Sequence, residues 1–224
     1  MEITRSGESK LAGKSFFDTD NDFKINNFFD FCTRYLKKEP KEKGQAPAMI
    51  VFCAFEQMQM VIDEAKKHGL MKSYPLVFVK NYSASVLKAN MKIVGATEYA
   101  VVLYRDKLPK FNNGRTEETK GKMIFNWFEW KRDSSKQYPK IHPTQKPISL
   151  LKRLIEIFTD EGDVVIDPVA GSASTLRACA ELGRNAYGFE IKKDFYNKAK
   201  QKMISEDILN GILEDGQVTF EALI

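Results

Sequence analysis

Residues 164–175 read Val-Val-Ile-Asp-Pro-Val-Ala-Gly-Ser-Ala-Ser-Thr, and Glu190 follows Gly171 by nineteen positions. The apolar beginning of this stretch predicts a buried strand, and the turn that contains Gly171 predicts the start of a helix. Such a turn brings backbone N–H groups close to a ligand, and a carboxylate at the tip of the next strand can accept hydrogen bonds from ribose hydroxyls. The stretch therefore predicts a cofactor site.

Apolar runs and helically spaced apolar residues alternate along the rest of the chain. The predicted strands are 48–53, 76–80, 99–104, 164–166 and 186–191, and the predicted helices are 23–36, a segment through 58–65, 147–158, 174–182 and a last helix from 194. The residues before Phe23 predict an exposed loop, and residues 106–138 predict an insertion off the sheet. Strands that alternate with helices predict an α/β fold with a mainly parallel sheet flanked by helices.

The composition excludes several classes of protein. The 224 residues are 43% hydrophobic and 29% charged, which is ordinary for a soluble globular domain. No apolar stretch is long enough to span a bilayer, and the first residues lack the apolar segment of a secretory signal. The three cysteines form no C-x-x-C pair, and neither of the two histidines lies near a cysteine pair. We therefore expect a cytoplasmic protein with free thiols, no membrane segment and no metal site.

Basic residues are concentrated between Lys107 and Lys146, where ten Lys or Arg residues accompany four Asp or Glu residues. The formal net charge of the whole chain is +5, so this one stretch carries the entire positive excess. Such asymmetry predicts a polyanionic partner that is met by one surface. The candidate contact residues are Lys107, Lys110, Arg115, Lys120, Lys122, Lys131, Arg132 and Lys136. Four aromatic residues of the same region, Phe125, Trp127, Phe128 and Trp130, predict a small core for it.

Two motifs, taken together, carry a resemblance to a known family. Ile141-His142-Pro143-Thr144-Gln145-Lys146-Pro147 comes first, and Asp167-Pro168-Val169-Ala170-Gly171-Ser172-Ala173-Ser174-Thr175 follows it. In this order they resemble the permuted class of amino-group DNA methyltransferases, which modify adenine N6 or cytosine N4. The resemblance covers nearly the whole chain and implies a Rossmann-like fold that binds S-adenosylmethionine. It implies that residues 1–105 form the first part of the sheet, 106–140 an inserted target-recognition segment, and 141–224 the half that binds S-adenosylmethionine.

The resemblance also assigns individual residues to the cofactor. Asp167 would approach the methionine amino group, and Glu190 would hold the ribose. Ile191 would pack against the adenine, while Thr144 and Lys146 would lie near the methionine carboxylate. The full implied set is Thr144, Lys146, Asp167, Pro168, Val169, Ala170, Gly171, Ser172, Glu190 and Ile191.

The chain departs from the family's pattern in three places. The family has Phe where this chain has Val169 and a second Gly where it has Ala173, which we expect to reshape the donor pocket. The family's catalytic tetrapeptide, an acidic or polar residue followed by Pro-Pro and an aromatic residue, is absent, since no Pro-Pro pair occurs in the sequence. No catalytic residue is therefore assigned. The resemblance implies that a central strand bearing this motif is missing, and that the chain is the C-terminal portion of a longer enzyme and inactive alone.

The leading hypothesis is a prokaryotic or phage DNA methyltransferase that transfers a methyl group from S-adenosylmethionine to adenine N6, with cytosine N4 less favoured. Double-stranded DNA is then the partner of the basic segment. A non-enzymatic DNA-binding remnant is the alternative. An NAD-dependent dehydrogenase is disfavoured because residues 171–174 lack the repeated glycines that make room for a pyrophosphate. The target sequence, RNA as substrate, a homodimer, a missing N-terminal part and a restriction endonuclease partner stay open.

Overall fold

The computed structural model describes residues 23–82, 85–116, 118–212 and 218–222. The loop predicted before Phe23 lies outside these residues. The chain divides into two compact units. The first comprises the described residues up to Lys37 together with 49–106 and 126–129, and the second comprises 38–48, 107–125 and the described residues from Trp130 onward.

The helices of the first unit are α1 (Ile25–Tyr35) and α2 (Met58–Lys67), and its strands are β1 (Met49–Cys53), β2 (Lys72–Lys80), β3 (Ser85–Lys88), β4 (Ile93–Gly95), β5 (Thr97–Tyr104) and β6 (Trp127–Trp130). The last residue of β6, Trp130, belongs to the second unit. Four of the strands form one sheet in the order β1-β5-β2-β6. Strands β3 and β4 form a separate two-stranded sheet. The core lies where Phe29 of α1 and Val61 of α2 pack with Val101 and Leu103 of β5. Residues 100–103 are fully buried, as expected for a continuous apolar strand covered on both faces.

The helices of the second unit are α3 (Ile148–Phe158), α4 (Ser174–Ala180), α5 (Lys193–Lys202) and α6 (Glu206–Asn210), and its strands are β7 (Val164–Asp167), β8 (Asn185–Glu190) and β9 (Val218–Ala222). The three strands form a parallel sheet in the order β7-β8-β9. Helix α3 packs against α4, which connects β7 to β8. Because the connection is a helix, β7 and β8 run in the same direction and both end at the same edge of the sheet.

The α/β class predicted from the sequence is confirmed, but the expectation of a mainly parallel sheet needs correction in the first unit. There β5 runs antiparallel to both β1 and β2. The connection between β2 and β5 contains the β3–β4 pair and no α-helix, so β5 returns beside β2 in the opposite direction. Strand β6 also lies within the segment that was predicted to stand off the sheet, yet it joins β2.

No helix in the described part of the chain is both long enough and apolar enough to cross a membrane.

Gly188 of β8 tests the packing between this strand and the helix above it. A Cβ at position 188 would lie 2.6 Å from Leu176 Cδ1 and 3.2 Å from Ala170 Cβ, and Leu176 is fully buried and has little room to move. We expect Gly188→Ala to lower the free energy of unfolding by about 1–3 kcal/mol, as overpacking does. The measurement is urea unfolding of the purified chain.

Gly211→Ala is the matched control for this substitution. A Cβ at position 211 would meet its nearest neighbour, the Asp207 carbonyl oxygen, at an ordinary 3.5 Å. Equal unfolding midpoints for the two variants would contradict the close packing of β8 against α4.

Candidate functional site

The turn between β7 and α4 is held in a conformation that requires backbone freedom. Gly171 has φ +53° and Ala173 has φ +58°, both in the left-handed region. This region favours glycine and costs an alanine about 1–2 kcal/mol. The Ala170 N–H donates to the Phe189 carbonyl at 2.9 Å, and the Ala173 N–H donates to the Ala170 carbonyl at 2.8 Å. The turn is therefore joined to the end of β8.

Glu190, the last residue of β8, makes a second connection to the same turn. Its Oε2 accepts a hydrogen bond from the Gly171 N–H at 2.8 Å, and its Oε1 accepts one from the Lys192 N–H at 2.7 Å. The side chain is buried, with Glu190 only 8% exposed. Each carboxylate oxygen can accept more than one hydrogen bond, so the group retains capacity for ligand hydroxyls. The sequence predicted Glu190 at the tip of the strand that follows the glycine turn, and Glu190 is the last residue of β8.

Asp167, the last residue of β7, has the electrostatics of a binding group. Burial raises the pKa of its carboxyl, while hydrogen bonds from Thr175 and from the Val169 N–H (3.2 Å) and the charge of Lys146 act in the opposite direction without cancelling the effect. A carboxyl whose pKa is raised by desolvation is stabilised in its ionised form when a further cation approaches. Such groups are concentrated at functional sites.

The segment 141–147 packs against the glycine turn through His142. A Cβ built on Gly171 would lie 3.7 Å from the His142 ring. The same ring also contacts Phe195 in an edge-on arrangement, with 4.3 Å between the ring centroids. The Thr144 N–H donates to His142 Nδ1 at 3.3 Å, and the Thr144 hydroxyl lies 3.0 Å from the same nitrogen. Because an N–H can only donate, Nδ1 carries no proton and the neutral ring has its proton on Nε2.

Lys146 links this segment electrostatically to the strand ends. Its Nζ lies 5.5 Å from the ring centroid of the buried Trp130. Burial lowers the pKa of His142, and the positive charges of Lys146 and Lys192 lower it further. Because Lys146 also acts on Asp167, the two predicted motifs share one electrostatic environment.

The remaining predicted cofactor residues surround the same strand ends. Val169 follows β7 and is 62% exposed, and Ile191 follows β8 and is 60% exposed. Two apolar side chains are therefore open to solvent beside buried polar groups.

The other predicted cofactor residues of the turn are less exposed. Ser172 is buried and shares a 2.8 Å hydrogen bond with Ser174, while Ala170 is buried and Pro168 is half-buried. Thr144 is exposed.

Lys107 and Lys110, both predicted to contact DNA, bind protein groups through their side-chain nitrogens. Lys110 Nζ pairs with Asp160 at 2.6 Å and with Asp163 at 2.7 Å. Burial lowers the pKa of Lys110, but the hydrogen bonds to the two carboxylates outweigh burial, so the pKa is raised overall. Lys107 Nζ donates to the Pro40 carbonyl at 2.6 Å. The prediction of phosphate contacts now depends on the exposed members, which are Arg115, Lys120, Lys122, Lys131, Arg132 and Lys136.

The predicted aromatic core of the basic segment needs correction. Trp130 is buried and Phe128 half-buried, but Phe125 is 74% and Trp127 52% exposed. Sequence reasoning also missed Phe195, which packs on His142, and the backbone N–H of Lys192, which binds Glu190. The position of Lys192 two residues after an acidic strand end was a usable signal, whereas nothing in the sequence marked Phe195.

The described residues contain no cluster of three or more His, Cys, Asp or Glu side chains arranged to hold a metal ion.

The sequence matches the N6/N4 DNA methylase family over residues 8–201. The chain belongs to this family. The resemblance inferred from the two motifs is thereby confirmed. Among curated relatives, type II methyltransferase M.HpaI of Haemophilus parainfluenzae is 42% identical over 67 residues, which is 30% of this chain and 21% of that protein. DNA adenine methyltransferase YhdJ of Escherichia coli (strain K12) is 32% identical over 145 residues, which is 62% of this chain and 47% of that protein.

A solved structure has a similar fold. The M1.HpyAVI complex with SAM superposes with a TM-score of 0.61 at 25% identity, covering 80% of this chain and 83% of that one. The matched stretches span less than two thirds of the length of the curated relatives M.HpaI and YhdJ.

His142 provides a test of the site through pH. Its folded-state pKa lies below the ordinary value of 6.5, so as the pH falls through 6.5 the unfolded chain takes up a proton that the folded chain does not. Stability is therefore lost as the pH falls from 6.5 toward the folded pKa. In the variant His142→Gln, the amide oxygen can still accept the Thr144 N–H. We expect the loss of stability between pH 6.5 and the folded-state pKa of His142 to be absent in this variant. Urea unfolding between pH 7.5 and 5.5 measures it.

NMR titration of the His142 ring is the complementary measurement. A folded-state pKa at or above 6.5 would contradict the burial and the two neighbouring cations described above.

Proposed function

We propose that this chain binds S-adenosylmethionine at the carboxyl ends of β7 and β8 and takes part in methyl transfer to an exocyclic amine of a DNA base. The observation that carries the proposal is the Glu190 carboxylate, which accepts the N–H groups of Gly171 and Lys192 between two parallel strand ends. Ligands of open parallel sheets bind at this edge. The related M1.HpyAVI was solved as a complex with SAM, which supports the same ligand here.

The residues present fit the chemical groups of the donor. Burial raises the pKa of the Asp167 carboxyl, and the methionine ammonium would stabilise the ionised form of this carboxyl. Lys146 and the exposed Thr144 offer a cation and a hydroxyl to the methionine carboxylate. Glu190 offers its carboxylate oxygens to the ribose hydroxyls, and the exposed Val169 and Ile191 offer apolar surface to the adenine.

When bound, S-adenosylmethionine supplies a methyl group attached to a positively charged sulfur. The chain's own residues hold and orient the donor. We propose DNA as the methyl acceptor, and adenine N6 over cytosine N4, because the related YhdJ is a DNA adenine methyltransferase. The exposed basic residues of the 106–140 segment support a polyanionic substrate.

Glu190→Gln tests the donor site by a readout other than activity. The neutral amide offers the ribose hydroxyls a weaker acceptor than the carboxylate does. Hydrogen bonds to charged groups contribute about 1.5–3 kcal/mol, so we expect the affinity for S-adenosylmethionine to fall roughly tenfold or more. Isothermal titration calorimetry measures this, with the exposed Glu42→Gln as a control of equal charge change.

An unchanged affinity in Glu190→Gln would remove Glu190 from the donor site. A wild-type chain that binds DNA but not S-adenosylmethionine would favour the alternative of a non-enzymatic DNA-binding protein.

We further propose that these 224 residues do not catalyse the transfer alone. An exocyclic amine is a weak nucleophile, and the family's Pro-Pro motif that activates it does not occur in the sequence. We expect no methyl transfer above background from labelled donor to mixed-sequence duplex DNA, even under conditions where calorimetry shows the donor bound. Multiple turnovers by the purified chain would overturn this proposal and leave the donor site intact.

A further inference from the structure

A groove of about 550 Å³ lies in the second unit, and no residue at the ends of β7 and β8 lines it. Residues 131–138 form one of its walls. The other wall is one face of α3, and it consists of Ser149, Lys152, Arg153 and Glu156. These positions are spaced i, i+3, i+4 and i+7, so they share one side of the helix. The opposite side of α3 carries its apolar residues into the core, which leaves this polar side open.

The two walls are joined at the beginning of α3 by Asp133. Its Oδ2 accepts the Ile148 N–H at 2.7 Å, and its Oδ1 accepts the Ser149 hydroxyl at 3.4 Å. The carboxylate therefore binds the first turn of α3 from the facing wall, where an acidic group is also favoured by the helix dipole.

The walls are joined a second time through Glu181, which follows α4. The Tyr138 hydroxyl donates to Glu181 Oε2 at 2.8 Å, and Lys152 Nζ donates to the same oxygen at 3.0 Å. Arg177 Nε donates to Oε1 at 2.6 Å, which completes the pairing of the carboxylate. Burial, followed by the hydrogen bond to Glu181, raises the pKa of Tyr138 to about 12, so this link persists across the physiological range. A groove fixed at both ends needs little ordering when a partner binds.

The charges of the groove are predominantly positive. Four of its lining residues are basic, namely Lys131, Arg132, Lys152 and Arg153, and two are acidic, namely Asp133 and Glu156. Asp133 is occupied by the start of α3, and Glu156 is shared with Arg153 at 3.6 Å. Lys131 and Arg132 are exposed on one wall, and the half-exposed Arg153 stands on the other. Cations on both sides of a groove match a chain of phosphates.

We propose that this groove binds the phosphodiester backbone of duplex DNA, with Arg132 and Arg153 contacting phosphates from opposite walls. The inference rests on the proposed function, because it states where the DNA of that function lies. Arg153 is new in this role, since the sequence analysis assigned phosphate contacts only to basic residues from Lys107 to Lys136, whereas Lys152 is held by Glu181 and stabilises the groove. Contacts to phosphates carry no base information, so the groove sets the orientation and register of the duplex rather than the target sequence.

The double substitution Arg132→Gln/Arg153→Gln tests the proposal. The intact chain and the variant are titrated against a mixed-sequence duplex by fluorescence anisotropy over a range of salt concentrations. Each phosphate contact contributes about 0.9 to the slope of log affinity against log salt, so losing two contacts lowers the magnitude of the slope by about 1.8. Arg34→Gln/Lys66→Gln is the matched control, because it removes the same charge from exposed positions of α1 and α2.

Four outcomes are informative. A reduced slope in the groove variant with an unchanged slope in the control supports the proposal, provided that both variants keep the wild-type unfolding midpoint and affinity for S-adenosylmethionine. Equal slopes for the groove variant and the wild type overturn it. A wild-type chain that binds S-adenosylmethionine but no duplex overturns the groove and leaves the donor site standing. A wild-type chain that binds neither overturns both.

Discussion

The carboxylate of Glu190 accepts one hydrogen bond from the glycine turn after β7 and one from the turn after β8. This pairing places two strand ends and their backbone N–H groups around one buried acid. The pairing needs Gly171 at positive φ, so that its N–H points toward Glu190. It also needs β8 to approach α4 closely, which the absence of a side chain at Gly188 allows.

A set of opposing charges completes the site. Asp167 is half-buried and has a raised pKa, Lys146 is a cation that acts on it, and His142 is kept neutral by burial and by Lys146. The neutral state of His142 matters structurally, because its unprotonated Nδ1 accepts the Thr144 N–H. The motif at 141–147 thus orders the wall of the site, and its histidine serves as a packing and hydrogen-bonding group.

The sequence predicted those features that depend on local pattern. The turn at Gly171, the acid at Glu190 and the helix after Pro147 all follow from short-range spacing, and the structure has them where they were expected. Pairing between distant segments was not predictable in the same way. Nothing local to β5 indicates that it inserts antiparallel between β1 and β2, and nothing near Lys110 indicates that Asp160 and Asp163 bind it.

The basic segment illustrates the same limit for function. A high density of Lys and Arg predicts a polyanion partner, but it does not distinguish a cation that binds a carboxylate from one that faces solvent. The structure shows that Lys107 and Lys110 bind protein groups, and it adds Arg153, from a helix outside the segment, to the same groove as Arg132. Such a groove arises only when a loop and a helix face are fixed side by side, here by Asp133 and Glu181.

A crystal structure of the chain with S-adenosylmethionine would locate the donor. We expect the donor at the ends of β7 and β8, with its ribose hydroxyls on Glu190 and its ammonium group within hydrogen-bonding distance of Asp167. Density for the donor elsewhere, or this region filled by protein side chains, would contradict it.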